Sequence, residues 1–212
     1  MTKVKICGLK DRKSLDSAVN AGADFIGFVF YPPSPRFITP EQASVLKQAI
    51  PSGVKAVGLF VDASNEEIET AAKILPLDML QLHGSESAER IKDIKARFSL
   101  PVIKAIRIGG AQDLDSIQDY EECTDWLLFD ARPENAILPG GTGQVFDWTL
   151  LSKKTFQRPW MLSGGLTAQN VSQALSCLQP DAVDVSSGVE SAPGIKKPEK
   201  IRDFINTIKT NG

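Results

Sequence analysis

The chain has 212 residues, a length that suits one large domain or, less readily, two small ones at about 150 residues each. Its composition, 42% hydrophobic and 24% charged, supports a sizeable buried core and argues against wholesale disorder, a collagen-like repeat and a disulfide-dense scaffold. Because 24 Lys and Arg stand against 26 Asp and Glu, no global positive charge points to nucleic acid or to an anionic membrane.

Features of targeting and redox chemistry point to a cytoplasmic protein. The first residues lack an apolar stretch followed by a small-residue cleavage site, so no secretory signal is predicted. The longest clean apolar run, Phe25 to Tyr31, is too short to span a bilayer. Three widely separated cysteines without a Cys-x-x-Cys pair argue against a disulfide framework. A single histidine, His83, leaves little scope for a zinc site or a Ser-His-Asp triad.

Short β-branched or aromatic runs alternate with helix-patterned segments along the chain. The predicted strands are Val4–Ile6, Asp24–Phe30, Val54–Val61, Asp78–Leu82, Val102–Ile106, Asp125–Asp130, Trp160–Leu162 and Ala182–Val185. Helix start signals such as Asp11, Thr39, Ser64 and Thr167 predict helices. These are Arg12–Ala21, Gln42–Ala49, Asn65–Leu75, Ala168–Leu178 and Lys200–Lys209.

This alternation predicts an α/β fold, a compact single-domain (β/α)8 TIM barrel. Several strands are nearly continuous apolar runs, which is typical of parallel strands covered on both faces. Eight units in 212 residues leave about 26 residues for each. With no linker or low-complexity tract in the sequence, we expect one domain over residues 1–212. The alternative is an open doubly wound sheet, which would place a ligand at a strand-order switch point.

In a barrel of this kind the reactive groups lie at the C-terminal ends of the strands and on the following loops. Position therefore selects the candidates, which are Cys7, Arg36, Asp62, Gln81, His83, Arg107, Asp130, Gly164-Gly165 and Ser186-Ser187-Gly188.

Cys7 and Asp130 are the candidate acid and base groups. Cys7 ends the first strand, where it is either a buried small hydrophobe or a base that needs a cationic neighbour. Asp130 ends one of the most apolar strands. Poor solvation there favours the protonated form of a carboxyl group and suits a general acid, while an N-cap or a salt-bridged loop residue is the alternative.

Other loops suggest anion binding. The proline-rich segment 31–36 is stiff and presents Arg36, which suits a bidentate grip on a carboxylate or phosphate, or is a surface arginine on a rigid turn. Glycine clusters at Gly164-Gly165 and Ser187-Gly188 follow the last two strands, where barrels commonly bind phosphate. Pro139 to Gly143 is not a Walker loop and is read as a flexible lid or a linker.

Ordered sequence blocks resemble one known family, phosphoribosylanthranilate isomerase, over residues 3 to about 197. The blocks are Lys5-Ile6-Cys7-Gly8-Leu9, Ser34-Pro35-Arg36, Leu80-Gln81-Leu82-His83-Gly84, Phe129-Asp130, Gly140-Gly141-Thr142-Gly143 with Phe146-Asp147-Trp148, Ser163-Gly164-Gly165-Leu166 with Asn170-Val171, and Val183-Asp184-Val185-Ser186-Ser187-Gly188-Val189-Glu190 with Pro193-Gly194-Ile195-Lys196.

The resemblance implies a cofactor-free and metal-free isomerase of tryptophan biosynthesis. Its reaction would be the Amadori rearrangement of N-(5'-phosphoribosyl)anthranilate to 1-(2-carboxyphenylamino)-1-deoxy-D-ribulose 5-phosphate. By the same resemblance Cys7 is the expected general base and Asp130 the general acid, while Arg36 binds the carboxylate. The expected phosphate site is formed by Gly164, Gly165, Ser187 and Gly188, and Gln81, His83 and Asp184 are further substrate-binding or structural residues.

Two other functions remain open at this stage. Another phosphosugar-handling barrel, an epimerase or an aldolase-like enzyme, could use the same loops, and a Schiff-base aldolase would need a lysine inside the barrel, for which Lys104 is the candidate. A non-catalytic barrel that binds a phosphorylated metabolite would not need both Cys7 and Asp130. The expected partner is a small molecule with phosphate and carboxylate groups, bound without nucleic acid or membrane by a monomer or a homodimer.

Overall fold

The computed structural model describes residues 1–132 and 145–210. Within them, parallel strands follow one another in chain order and close into an eight-stranded barrel, because β1 pairs with both β2 and β8. The predicted (β/α)8 barrel is confirmed and the open sheet is wrong. The strands are β1 (Lys3–Cys7), β2 (Phe25–Val29), β3 (Lys55–Phe60), β4 (Met79–Leu82), β5 (Val102–Ile108), β6 (Trp126–Ala131), β7 (Trp160–Leu162) and β8 (Ala182–Val185).

Helices of unequal length alternate with these strands. They are α1 (Arg12–Ala21), α2 (Pro40–Lys47), α3 (Asn65–Ile74), α4 (Ala88–Phe98), α5 (Ile117–Glu121), α6 (Thr149–Ser152), α7 (Val171–Cys177) and α8 (Pro198–Thr210). Short 3₁₀ helices cover Ala111–Leu114 and Ser187–Val189, and a small antiparallel pair is formed by β9 (Glu190–Ala192) and β10 (Ile195–Lys196).

Most of the predicted helix starts are confirmed, and one is wrong. The side chains of Asp11, Thr39 and Ser64 each accept a backbone N–H in the first turn of their helices. Helix α7 begins at Val171 instead of residue 168. The Asn170 side chain accepts from the N–H of Thr167 and donates to the carbonyl of Gly165, so a turn closes before the helix starts.

The strands alternate between an inner and an outer face, as the pleat requires. Inner-facing apolar side chains form a compact cluster in the N-terminal part of the barrel, whereas outer-facing ones pack against the helices in a larger core. The inner cluster consists of Phe25, Val57, Met79, Ile103, Ala105, Leu128, Met161 and Ala182. Polar inner residues lie beyond it toward the C-terminal ends of the strands. The N-terminal end of the barrel is therefore filled by apolar side chains, and the C-terminal end carries the polar ones.

A repeated aspartate closes the N-terminal end of the barrel. The residue before each even-numbered strand is Asp, and its carboxylate accepts the backbone N–H of the first or second residue of the preceding odd-numbered strand. These hydrogen bonds join Asp24 to Val4, Asp78 to Ala56, Asp125 to Val102 and Asp181 to Trp160, at 2.8, 2.8, 2.8 and 2.9 Å.

We expect Asp78→Ala to lower the free energy of unfolding by about 1–3 kcal/mol, because the N–H of Ala56 loses its charged acceptor and Lys47 loses its partner. Burial acts to raise the pKa of Asp78, but the bonds from Lys47 and Ala56 hold that pKa below its ordinary value. When the pKa of a carboxyl group is lower in the folded than in the unfolded state, the group stabilises the fold at pH values above the unfolded-state pKa. This stabilisation is lost as the pH falls through the folded-state pKa.

The difference in the free energy of unfolding between wild type and variant should therefore be largest at pH 7 and decrease below about pH 4. Urea unfolding at both pH values measures it, with the exposed Asp93 changed to Ala as the matched control. A difference that does not depend on pH would contradict the charge-assisted role of this carboxylate.

Candidate active site

The Cys7 side chain lies at the C-terminal end of β1 and faces the interior of the barrel. It is buried, with an exposed fraction of 3%, and packs with Val29 and Leu59. Gly27 makes room for it, since a Cβ at that position would stand 2.8 Å from the Cys7 Sγ. Burial raises the pKa of the Cys7 thiol above its ordinary value, and the nearby ammonium groups of Lys5 and Lys196 oppose that rise.

Directly below Cys7, a buried ion pair joins β1 to β8. Lys5 is fully buried, and its Nζ lies 2.8 Å from Oδ1 of Asp184, whose Oδ2 accepts from the Ser163 hydroxyl at 3.0 Å. Burial acts to lower the pKa of Lys5, but Asp184 and Cys7 raise it above its ordinary value. Asp184 is thus brought into the predicted site, where its carboxylate is engaged by two neighbours. Sequence reasoning missed Lys5, although its position two residues before Cys7 places both on one face of a strand.

Asp130, His83 and Gln81 form a hydrogen-bonded chain across β6 and β4. Nε2 of His83 lies 3.2 Å from Oδ2 of Asp130, and Nδ1 lies 2.9 Å from Nε2 of Gln81. The other carboxyl oxygen, Oδ1 of Asp130, accepts the N–H of Ala131 at 2.9 Å. Exposure falls along the chain, from 4–6% for Asp130 and His83 to zero for Gln81. The carboxyl group therefore has one backbone N–H donor and one imidazole neighbour, and Gln81 lies behind the histidine.

Arg36 reaches the same end of the barrel, where a carboxylate already holds it. Its Nε and Nη2 donate to the two carboxyl oxygens of Glu190, each at 2.8 Å, in a two-pronged ion pair. The ammonium group of Lys196 bonds the same carboxylate at 2.8 Å and the carbonyl and hydroxyl oxygens of Ser186 at 3.0 Å each. The predicted arginine is thus in place, with its guanidinium plane fixed by a residue 154 positions away.

Burial acts on the pKa values of both Glu190 and Lys196. Burial acts to raise the pKa of Glu190, but the bonds from Arg36 and Lys196 hold it below its ordinary value. Burial lowers the pKa of Lys196, and the attraction of Glu190 only partly offsets this. Glu190 and Lys196 belong to sequence blocks quoted above, yet nothing local in the sequence shows that they converge on Arg36.

Gly165, Ser187 and Gly188, from the loops after β7 and β8, line one cavity of about 310 Å³, and Gly164 is not among its lining residues. Gly164 and Gly165 adopt positive φ angles of 87° and 63°, and a Cβ on Gly188 would overlap the carbonyl oxygen of Leu166. The lining residues are Gly165, Thr167, Ala168, Gln169, Ser187, Gly188, Lys200 and Asp203. Lys200, which sequence reasoning missed, adds a cation to the cavity.

Lys104 does not point into the barrel, so the lysine candidate for a Schiff-base aldolase is misplaced. It alternates with the inner residues Ile103 and Ala105 and therefore lies on the outer face of β5. There its Nζ donates to Glu86 at 2.6 Å and to the carbonyl of Gly84 at 2.7 Å. This buried ion pair anchors the loop after β4, because the other Glu86 oxygen accepts the N–H groups of Asp62 and Gly84.

The glycine-rich segment, membrane spans and metal ligands were further subjects of the sequence predictions. The segment from Pro139 to Gly143, interpreted as a lid or linker, lies outside them. Within them, no helix is long and apolar enough to cross a membrane, and no three His, Cys, Asp or Glu side chains are grouped as metal ligands would be.

Comparison with known proteins extends over almost the whole chain. Residues 4–207 match the family model described as N-(5'-phosphoribosyl)anthranilate (PRA) isomerase. A relative of that name from Paracoccus denitrificans is 49% identical over 203 residues, covering 95% of this chain and 94% of the relative. One from Paramagnetospirillum magneticum is 48% identical over 208 residues, covering 98% and 97%.

Solved structures of the same kind of enzyme share the fold. Phosphoribosyl anthranilate isomerase from Thermotoga maritima is 40% identical, with a TM-score of 0.90 over 99% of this chain and 100% of the other. A complex of phosphoribosyl anthranilate isomerase with reduced 1-(o-carboxyphenylamino)-1-deoxyribulose 5-phosphate is 37% identical, with a TM-score of 0.85 and the same coverage. Both sequence and fold therefore establish that the chain belongs to the N-(5'-phosphoribosyl)anthranilate isomerase family, enzymes of tryptophan biosynthesis.

Proposed function

We propose that the chain converts N-(5'-phosphoribosyl)anthranilate to its ribulose product by an Amadori rearrangement with Cys7 as general base and Asp130 as general acid. The observation that carries this proposal is the placement of both groups on the inner face of one end of the barrel, Cys7 on β1 and Asp130 on β6. The thiol has cations nearby, and the carboxyl group is held in place by the N–H of Ala131 and by the His83 ring.

The reaction needs two proton transfers. Asp130 gives its proton to the ring oxygen of the ribose, and the ring opens to an iminium ion that acidifies the proton on C2. Cys7, as the thiolate, takes the C2 proton, and the resulting enolamine relaxes to the ketone. Burial disfavours the thiolate, while Lys5 and Lys196 stabilise it, so the cations support the base in the step that needs it.

The two ends of the substrate match two anion sites in the barrel. The cavity between the loops after β7 and β8 offers backbone next to Gly165 and Gly188 together with the Lys200 ammonium, which suits a phosphate group. Arg36, with its plane fixed by Glu190, suits the anthranilate carboxylate. The ligand in the complexed relative carries both a phosphate and a carboxyl group, which supports this pairing.

Replacing the acid or the base tests the proposal directly. We expect Cys7→Ser and Asp130→Asn each to lower kcat by about 10²–10⁴-fold, the usual contribution of a positioned acid or base, with folding unchanged. The decrease in substrate fluorescence measures turnover, and growth of a tryptophan auxotroph that lacks this isomerase provides a second readout. Cys177→Ser, at an exposed thiol, is the matched control. Full rate in both variants would refute the assignment.

The carboxylate role of Arg36 is tested with Arg36→Lys, which keeps a positive charge beside Glu190 but loses the planar fork. We expect kcat/KM for the natural substrate to fall about 10²-fold, equivalent to about 2.8 kcal/mol. For the analogue built on aniline, which lacks the carboxyl group, kcat/KM should differ little between wild type and variant. Arg12→Lys, at an exposed arginine, controls for general charge effects. Equal losses for both substrates would contradict recognition of the carboxylate.

Lys200→Met tests the phosphate cavity, because it removes the cation that lines it. We expect KM to rise about tenfold and competitive inhibition by inorganic phosphate to weaken similarly, with kcat nearly unchanged. Lys13→Met, at an exposed lysine on α1, is the control. If inhibition by phosphate were unaffected, this cavity would not be the phosphate site.

A further inference from the structure

We infer that Gln81 is a positioning residue: by donating an N–H to Nδ1 of His83 it keeps that imidazole neutral, with its proton on Nε2, as a constant hydrogen-bond donor to Asp130. The inference rests on the proposed role of Asp130 and adds to it the device that keeps this acid functional. Three observations carry it, namely the two ring contacts of His83, the burial of Gln81, and a carbonyl oxygen of Gln81 that has no hydrogen-bond partner among the described residues.

The direction of the hydrogen-bonded chain follows from its chemistry. A carboxylate oxygen can only accept, so Nε2 of His83, 3.2 Å from Oδ2 of Asp130, carries the proton when Asp130 is ionised. In the neutral ring Nδ1 is then an acceptor, and the atom 2.9 Å from it is Nε2 of Gln81, a donor. The two contacts are thus mutually consistent, and acceptance of the Gln81 N–H at Nδ1 requires an uncharged imidazole.

The opposite orientation of the Gln81 amide is the one that would favour a charged imidazolium. Turned over, the amide would offer its carbonyl oxygen to a proton on Nδ1. Gln81 is fully buried, and in the orientation present its Oε1 has no hydrogen-bond partner in the described part of the chain. Turning the amide would bury an unpaired NH₂ group in place of an unpaired oxygen, and unpaired buried N–H groups are the rarer and costlier of the two. The unsatisfied oxygen therefore favours the donor orientation.

A neutral His83 is compatible with the proposed role of Asp130 as a general acid. The Nε2–H donates to Oδ2 whether or not Oδ1 holds a proton, so the ring needs no change of tautomer when Asp130 gives its proton away. An imidazolium would instead stabilise the ionised carboxylate and keep Asp130 from regaining a proton. Other charged or titratable side chains in residues 1–132 and 145–210 at this end of the barrel are not among the hydrogen-bond partners of the His83 ring, which are Gln81 and Asp130. These side chains are Lys5, Cys7, Arg36, Asp62, Glu86, Arg107, Asp184, Glu190 and Lys196.

The test compares Gln81→Glu with Gln81→Met. Glutamate has nearly the shape of glutamine, and once ionised it can only accept at Nδ1, so His83 should become an imidazolium or move its proton to Nδ1. Methionine removes the donor without adding a strong acceptor, and Asp130 is then the one remaining polar partner of the ring among the described residues. We expect kcat to fall about 10- to 100-fold in Gln81→Glu, part of the usual contribution of a positioned acid, with KM within about twofold. Gln81→Met should lower kcat as well, but by a smaller factor than Gln81→Glu.

The protonation of the ring is read directly by ¹⁵N NMR, because His83 is the only histidine in the chain and gives the only imidazole signals. We expect the Nε2–H tautomer in the wild type, and its loss in Gln81→Glu. Thermal unfolding of both variants separates these effects from loss of structure. Should Gln81→Glu fail to fold, the wild-type spectrum decides the matter.

The NMR measurement needs no substrate, so it stands apart from the proposed reaction. If Asp130→Asn retained full rate, the acid assignment would fail whatever the tautomer of His83. An imidazolium or an Nδ1–H tautomer in the wild type would overturn the inference itself. So would a Gln81→Met variant as impaired as Gln81→Glu, because shape rather than hydrogen-bond polarity would then be what His83 requires.

Discussion

The closure of the barrel between β1 and β8 is the constraint on which the rest of the structure depends. Lys5 and Asp184 are direct neighbours in the register of that seam, and their side chains form a fully buried ion pair inside the barrel. A buried pair of this kind is costly to break, because removing one partner leaves an uncompensated charge away from water. The same ammonium group acts on Cys7. The seam that completes the fold is therefore also part of the environment of the Cys7 thiol.

Ionised side chains around Cys7 are paired in an uneven way. Lys5 is matched by Asp184, whereas Glu190 is shared between Arg36 and Lys196. Taken as ionised, these groups leave one excess positive charge beside a thiol and an expected carboxylate. A site with this balance attracts one anion readily and a second less readily. Under the proposed function, the substrate carboxylate and the Cys7 thiolate would draw on the same positive charge, which would link binding at Arg36 to the protonation of the proposed base.

Sequence could predict what depends on strand ends, and it could not predict what depends on contacts between distant residues. The order of apolar runs gave the barrel, and their last residues placed Cys7, His83 and Asp130 at one end of it. The bond between Arg36 and Glu190 joins residues 154 positions apart, and no local pattern specifies it. Lys104 was misplaced because the inner or outer face of a fully buried strand cannot be read from a continuous apolar run. The start of α7 depended on side-chain bonds of Asn170 that compete with the helix.

The aspartates at the N-terminal end divide the barrel into four pairs of strands. Each bond runs from an even-numbered strand back to the odd-numbered strand before it, so these four bonds lie within the pairs and not between them. New chain ends opened between β2 and β3, or between β4 and β5, would leave every such bond inside one pair. Ends opened within a pair would place the two partners of a bond at opposite termini of the chain. The chain can therefore be opened between pairs without separating the partners of any of these bonds, which lie at the end of the barrel opposite the candidate active site.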